Sequence, residues 1–179
     1  MEPAQTAFTV GDLSGDGVMD LLTTDASSAS FSLYMGPLTS SVDEPTWTAA
    51  PLDSTTGSGV TVRADQDIDD DGQVDLVTAY PYLSGPESFS EIRIHLGPLS
   101  ETPNMDAPDI RLRTEEISSH TLNPSGMWFS DVTGDDSTDV LLYTSPENAL
   151  LLWPNPSGEM STETDIIQLA TIDTNPVSS

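Results

Sequence analysis

The chain has 179 residues, of which 30 are acidic and four are basic, so its formal net charge is −26. Nucleic acids and anionic membranes are poor partners for such a charge, because both repel it. The absence of cysteine excludes disulfides, thiolate catalysis and cysteine-based zinc sites.

An internal repeat organises the sequence from its N-terminus onward. Each of its three copies contains an Asp-rich loop, and the loops begin at Asp12, Asp67 and Asp131. A second landmark follows each loop, as an apolar segment that ends near Gly-Pro or Pro: residues 31–38, 92–99 and, as a weaker echo, 150–154. Because both landmarks recur in the same order, we interpret the chain as three repeats.

Four strands are predicted in each repeat, because apolar residues between the landmarks alternate with polar ones or form short runs. In the first repeat they lie near residues 7–10, 19–23, 31–35 and 47–52. In the second repeat they lie near residues 59–64, 74–80, 91–96 and 110–114. In the third repeat they lie near residues 127–130, 139–143, 149–153 and 166–170.

The second loop shows most clearly why these loops favour a metal ion. Asp67, Asp69, Asp71 and Asp75 lie close together in the sequence, and Gly72 permits the turn that returns the last of them to the others. Two unit charges ~4 Å apart repel by ~4 kcal/mol near a protein surface, so four converging carboxylates need a cation. The loop opens like an EF-hand loop but lacks its glutamate at the twelfth position and its flanking helices.

The candidate ligands are all oxygens, which favours Ca²⁺ or Mg²⁺, and several carboxylates without histidine favour Ca²⁺. Side chains at the first, third, fifth and ninth loop positions and the carbonyl at the seventh are the predicted ligands. They are Asp12, Ser14, Asp16, Val18 and Asp20 in the first loop, Asp67, Asp69, Asp71, Gln73 and Asp75 in the second, and Asp131, Thr133, Asp135, Ser137 and Asp139 in the third.

The third calcium site is expected to be the weakest. Asp136 stands where the other loops have Gly17 and Gly72. A left-handed conformation there costs a non-glycine residue about 1–2 kcal/mol. The alternative for all three loops is that Asp, Gly and Ser simply form turns.

A four-stranded unit repeated along the chain is the plan of a propeller blade, although a β-sandwich is also built from short strands. The fixed position of the Asp loop, between the first and second strands, favours the propeller. We therefore expect an all-β half-propeller of three blades, each with a calcium-binding loop. The predicted boundaries are 1–55, 56–117 and 118–172, with a disordered tail at 173–179.

These motifs resemble the FG-GAP repeats of integrin α-subunits and of bacterial surface proteins. The resemblance is carried by the three Asp loops, the apolar pair after each loop, and strand ends such as Leu33-Tyr34-Met35-Gly36-Pro37. It implies a β-propeller with calcium between the first two strands of a blade, and roles in adhesion and ligand recognition. The family's Phe-Gly opening is missing, since neither Phe8 nor Phe129 precedes glycine.

A half-propeller has two open ends, so we expect a homodimer that completes a six-bladed ring, or further blades from a longer chain. No segment resembles a signal peptide or a membrane span, and millimolar extracellular calcium places the expected location outside the cell or at its surface. The expected function is non-enzymatic binding, adhesion or assembly, with a protein or glycan as possible ligand. Two alternatives are a lectin or enzyme module for polysaccharides with structural calcium, and a purely structural repeat.

Other chemistry has little support in the sequence. His95 and His120 are expected at the surface, and the acids Glu87, Glu115 and Glu116 are too common in this composition to indicate glycoside hydrolysis. The three tryptophans are expected in the core or between blades rather than stacked on sugars; they are Trp47, Trp128 and Trp153.

Overall fold

The structure of the protein is a computed structural model that describes residues 5–9, 11–25, 30–39, 44–49, 61–83, 89–113, 121–145, 149–157, 159–161 and 167–171. Within these ranges every regular element is a β-strand. The strands are β1 Gln5–Thr9, β2 Leu21–Asp25, β3 Ser30–Tyr34, β4 Trp47–Ala49, β5 Thr61–Gln66, β6 Asp75–Leu83, β7 Phe89–His95, β8 Ile110–Arg113, β9 Thr121–Ser130, β10 Asp139–Ser145, β11 Ala149–Trp153, β12 Glu159–Ser161 and β13 Ile167–Thr171.

The strands form three sheets, one for each repeat, and neighbouring strands within a repeat run antiparallel. The first sheet has the order β1-β2-β3-β4, the second contains β5 to β8, and the third contains β9, β10, β11 and β13. The expected all-β fold with a four-stranded antiparallel unit in each repeat is therefore confirmed. The strands agree with the predicted positions to within a few residues, and β11 coincides with the predicted 149–153.

The short strand β12 was not expected. It belongs to the third repeat in sequence, but it pairs in parallel with β8 at the outer edge of the second sheet. The third repeat thereby contributes to two sheets. The predicted boundaries between repeats and the predicted tail at 173–179 lie outside the residues that the structure describes.

Two apolar clusters join the sheets in sequence order. In the first cluster, Leu22, Leu33 and Trp47 of the first sheet are buried with Leu76 and Met105 of the second repeat. The second cluster joins the second and third sheets, and its buried members include Val77, Ile94, Ile110, Val140 and Trp153. Successive strand residues point to opposite faces, so Leu76 packs toward the first sheet while its neighbour Val77 packs toward the third.

Polar contacts also connect the sheets, and several involve their first strands. The N–H of Gly11 donates to the carbonyl of Ala64 at 3.2 Å, and the Arg63 guanidinium donates to the carbonyl of Met127 at 2.9 Å. Arg63 also lies over the Phe129 ring, 5.4 Å from its centroid. These contacts place β5 beside β9, and they place Gly11, which follows β1, beside β5.

The tryptophans only partly follow expectation. Trp47 and Trp153 are buried in the two clusters between the sheets. Trp128 is 53% exposed, so within the described residues it lies neither in the core nor between the sheets, contrary to the prediction. Trp128 points to the face of the third sheet opposite to Val140, which no described residue of another sheet covers.

None of the described residues forms a helix long and apolar enough to cross a membrane.

Candidate metal centre

The three Asp loops share one pattern of hydrogen bonds, which begins at the first aspartate of each loop. Asp12 accepts the N–H groups of Asp16 and Gly17 at 2.9 and 2.5 Å. Asp67 accepts those of Asp71 and Gly72 at 3.1 and 2.9 Å. Asp131 likewise accepts the N–H groups of residues 135 and 136 at 3.2 and 3.1 Å. Each first carboxylate thus binds backbone four and five residues later and closes its loop into a tight ring.

The aspartate at the fifth position accepts a backbone N–H two residues later. The donors are Val18, Gln73 and Ser137, at 2.8, 2.7 and 3.1 Å from their acceptors on Asp16, Asp71 and Asp135. This second turn has the same form in each repeat. The loops are therefore equivalent in backbone geometry as well as in sequence.

The ninth-position aspartates are buried and hold each loop against the end of the third strand of its sheet. They are Asp20, Asp75 and Asp139, which are at most 2% exposed. In the second loop, Asp75 accepts the N–H of Ile68 at 2.6 Å and that of Gly97 at 2.8 Å. Asp20 makes the corresponding bonds to Ser14 and Gly36 in the first loop.

Asn155 completes this pattern in the third repeat. Its N–H donates to Asp139 at 3.1 Å, just as Gly36 and Gly97 donate to their aspartates. The second landmark of the third repeat therefore ends at Asn155-Pro156, two residues later than the echo expected at 150–154. The signal in the sequence was the Asn-Pro pair, which stands where the other repeats have Gly-Pro. The backbone differs, because φ of Asn155 is 44° whereas neither Gly36 nor Gly97 has a positive φ.

Two residues in each loop adopt a left-handed backbone, at the fourth and sixth positions. They are Gly15 and Gly17, Asp70 and Gly72, and Gly134 and Asp136. The expected left-handed conformation of Asp136 is confirmed, with φ of 67°. Asp70 has φ of 59°, so the second loop also carries one non-glycine residue in this region. Backbone strain therefore does not distinguish the third loop from the second.

Asp67, Asp69 and Asp71 form an acidic triad whose carboxylate oxygens lie within 4.8 Å of one another and can hold a metal ion. In the first loop the same positions carry Asp12, Ser14 and Asp16, and the Ser14 hydroxyl lies 3.4 Å from Asp12 Oδ1. In the third loop they carry Asp131, Thr133 and Asp135. The structure thus brings together one acidic triad, while the other predicted ligands occupy equivalent loop positions.

Charge repulsion is strongest in the second loop. Burial, followed by repulsion from Asp71 and Asp67, raises the pKa of Asp69 above its ordinary value. Burial raises the pKa of Asp75 to about 6, although the N–H groups of Gly97 and Ile68 act to lower it. Both shifts disfavour the ionised carboxylates, and a cation bound among them would reverse that effect.

The other two loops show the opposite shift. Desolvation acts to raise the pKa of Asp12, but the N–H groups of Gly17 and Asp16 outweigh it and the net change is a lowering. The side-chain amide of Asn155, with the N–H of Ser137, lowers the pKa of Asp135. Burial of Asp139 is likewise outweighed by backbone donors, and its pKa is lowered. The protein's own donors thus stabilise these carboxylates.

The second and third loops are in direct contact. The Asp70 carboxylate accepts the N–H of Thr138 at 3.2 Å and its hydroxyl at 3.3 Å. The same hydroxyl lies 3.3 Å from the carbonyl of Asp67. Asp70 was not a predicted ligand, and the structure explains its presence as a bridge to the neighbouring loop.

Away from the loops, the second sheet buries a group of charged side chains. Glu91 is fully buried and forms ion pairs with Arg93 at 2.5 Å and Arg111 at 3.1 Å, while Arg93 lies over the Tyr80 ring. His95 lies on the same face and is 3% exposed, so the prediction of a surface position is wrong. Burial lowers its pKa to about 4. The alternation in this strand showed which residues share a face, but it gave no sign that the polar face would be covered.

The remaining acids considered for glycoside hydrolysis, at 87, 115 and 116, lie outside the described residues, as does His120. No family model, no curated protein and no solved structure matches this chain.

Proposed function

We propose that the chain is a non-enzymatic, calcium-binding β-propeller repeat module that acts in extracellular binding, adhesion or assembly. The observation that carries the proposal is the hydrogen-bond pattern repeated in three Asp loops, which in the second loop gathers Asp67, Asp69 and Asp71 within 4.8 Å. A turn without a ligand needs one capping aspartate, whereas these loops carry three to five.

The donor set supports calcium rather than a transition metal. The proposed ligands are carboxylate, hydroxyl and carbonyl oxygens, which are the ligands that Ca²⁺ takes in sets of six to eight. Each site would use the five positions predicted from the sequence, and waters would complete the coordination. Bound calcium supplies positive charge that offsets part of the net charge of −26.

The packing of the sheets supports a propeller-like arrangement. Each sheet contains a four-stranded antiparallel unit, and consecutive sheets share an apolar cluster. Gly11, just after β1, bonds to β5, and Arg63 of β5 bonds to β9. These are features of propeller blades arranged around an axis. In this arrangement the chain forms half of a ring, which a second copy or further blades of a longer chain would complete.

The resemblance to FG-GAP repeats and the millimolar calcium outside cells support an extracellular role. The absence of a family match leaves that role dependent on the loops themselves. A test of calcium binding therefore comes first.

Calcium titration of the metal-free protein tests the proposal, with heat of binding and melting temperature measured together. Each site that holds calcium at a hundred-fold excess over its Kd adds about 2.7 kcal/mol. For a chain of this size 1 kcal/mol shifts Tm by about 2–4 °C, so three sites raise Tm by more than about 10 °C.

Asp69→Ala is the matched loss-of-site variant, and Glu101→Gln is its control because Glu101 is an exposed acid outside the loops. We expect Asp69→Ala to weaken or remove one site while Glu101→Gln binds like the original. The proposal fails if millimolar calcium releases no heat and leaves the melting temperature unchanged.

A further inference from the structure

Each sheet carries one row of paired residues at the same register, and the rows match from repeat to repeat. In the first sheet the row contains Leu22, Leu33 and Trp47, which are cross-strand partners on β2, β3 and β4. In the second sheet it contains Val77, Ile94 and Ile110. In the third sheet it contains Leu141, Leu152 and Ile167, and Trp128 extends it on β9. We name this last row, with these four residues, the open row.

The first two rows are buried by the sheet that follows them in sequence. The row of the first sheet lies in the apolar cluster shared with the second sheet, and the row of the second sheet lies in the cluster shared with the third. The open row occupies the same register, and its two ends are exposed: Trp128 is 53% and Ile167 is 51% exposed, whereas Leu141 is partly buried and Leu152 is buried. Among the described residues, the open row is apolar throughout and no other sheet covers it.

The opposite faces of the sheets show what covers such a row. Toward the preceding sheet, the second sheet presents the pair Leu76 and His95, and the third presents the pair Val140 and Trp153. All four side chains are buried. The corresponding pair in the first sheet is Leu21 and Tyr34, which are only partly buried. The open row of the third sheet and the pair Leu21 and Tyr34 of the first sheet are therefore the two such positions that no other described sheet covers.

The residues of the open row and the pair of Leu21 and Tyr34 carry no charge. The chain has 30 acidic residues, but neither the open row nor the pair of Leu21 and Tyr34 contains one. Two copies with a charge of −26 repel each other, and a contact through uncharged residues adds no close pair of like charges to that repulsion. A second copy of the same chain is thus best accommodated through these faces.

We propose that the open row binds the first sheet of a second copy of this chain, at Leu21 and Tyr34, and that the second copy's open row returns the contact. The two contacts repeat the geometry that already joins the first sheet to the second and the second to the third. This inference rests on the blade arrangement in the proposed function, and it names the surface and the partner that close the ring.

Charge substitutions on the full-length chain test the contact, with mass measured by light scattering at micromolar protein in calcium. The original chain is expected to be a dimer, and Ile167→Lys and Tyr34→Glu are each expected to be monomers. Leu38→Lys and Leu38→Glu are the controls, because Leu38 is a 40% exposed apolar residue in a turn outside both faces. The controls are expected to remain dimeric. Because Ile167 and Leu38 are exposed, these substitutions leave the folded core intact.

Mixing the two monomeric variants separates a head-to-tail contact from other dimers. In the mixed pair, one interface brings the lysine of Ile167→Lys against the glutamate of Tyr34→Glu, and the other interface is unchanged, so the mixture is expected to dimerise. A monomeric original chain, dimerisation by Tyr34→Glu alone, or failure of the mixture to associate overturns the inference. Calcium heats measured on the same samples distinguish these results from failure of the proposed function, since a monomer that binds calcium contradicts only the contact.

Discussion

The second and third loops have the same backbone pattern but opposite electrostatics. In the second loop, burial and neighbouring carboxylates raise the pKa of Asp69, and burial raises that of Asp75 to about 6. In the third loop, Asn155 and backbone N–H groups lower the pKa of Asp135, and backbone groups lower that of Asp139 despite its burial. One loop carries unrelieved negative charge, and the other is already stabilised by protein donors.

This contrast gives a physical reason for the order of affinities. A cation gains most where the carboxylates repel each other most, so the second loop is expected to bind calcium more tightly than the third. The order agrees with the prediction from Asp136, but the reason differs. Asp70 and Asp136 both adopt left-handed conformations, so strain is shared by the two loops and charge separates them.

The largest expected effect comes from removing the buried aspartates in the presence of chelator. Asp139 accepts three backbone N–H groups, from Val132, Thr133 and Asn155, whereas Asp75 accepts two. A buried donor left without its acceptor costs about 1–3 kcal/mol. We expect Asp139→Ala to lower the free energy of unfolding by about 3–5 kcal/mol and Asp75→Ala by about 1–3 kcal/mol, because the latter also removes an unfavourable buried charge.

Urea unfolding measures both values, and the Asn variants at the same positions show whether loss of charge alone is responsible. Equal losses for Asp139→Ala and Asp75→Ala would contradict the electrostatic difference between the loops.

The pH dependence of the stability of the metal-free protein should also distinguish the second loop from the third, with an effect of intermediate size. Asp75 has a raised folded pKa of about 6 against an ordinary 3.8, so the folded state binds more protons between these values. Its contribution to stability is complete below the lower value and is lost as pH rises through the upper one. Acidification through this window should therefore raise the contribution of Asp75 to the stability of the chelated protein, with a slope of up to about 1.4 kcal/mol per pH unit for this group.

His95 opposes this gain, because its folded pKa of about 4 lies below its ordinary 6.5 and the unfolded state binds the extra proton. Asp75→Asn should remove the Asp75 gain and make stability fall more steeply as pH falls, whereas Asp139→Asn should keep that gain. Thermal melts in chelator across this range measure the slopes. A profile unchanged by Asp75→Asn would refute the assignment.

Exchanging the residues at the third position of the second and third loops should reverse the order of their calcium affinities. Asp69→Thr gives the second loop the threonine of the third loop, and Thr133→Asp gives the third loop the aspartate of the second loop. Gaining or losing one carboxylate beside the ion is expected to change Kd by about tenfold, or about 1.4 kcal/mol, in opposite directions. Calorimetry with the double exchange gives the most direct comparison. If both single variants weaken binding, geometry rather than charge sets the affinities.

The smallest effect should come from the left-handed aspartates. Asp136→Gly relieves backbone strain but adds freedom to the unfolded chain, so the free energy of unfolding is expected to change by less than about 1 kcal/mol. Asp70→Gly also removes the bonds to the N–H and hydroxyl of Thr138, and it should destabilise by about 1–2 kcal/mol. Chemical denaturation measures the free energy of unfolding of both variants. Similar values for both variants would show that the bridge between the loops contributes little.

The local parts of this structure followed from the sequence. Alternation located twelve of the strands, and spacing located the three Asp loops, because both depend on residues close together in the chain. The left-handed backbone at Asp136 was also predicted, because glycine occupies that position in the other repeats.

The contacts between repeats did not follow from the sequence. His95 and Arg93 were on a polar face, and only the packing of whole sheets determined that this face is buried. Asp70 and Asn155 were missed because their partners, Thr138 and Asp139, lie in another repeat or beyond an intervening strand. Strand β12 was missed for the same reason, since its partner β8 precedes it by a whole sheet.

The placement of β12 has a consequence for how this chain can evolve. Because residues 159–161 supply the outermost strand of the second sheet, deletion of the third repeat would expose the edge of β8 as well as shortening the array. Gain or loss of a single unit by recombination therefore damages its neighbour. We therefore expect duplication or loss of the second and third repeats together to disturb the fold less than duplication or loss of either one alone.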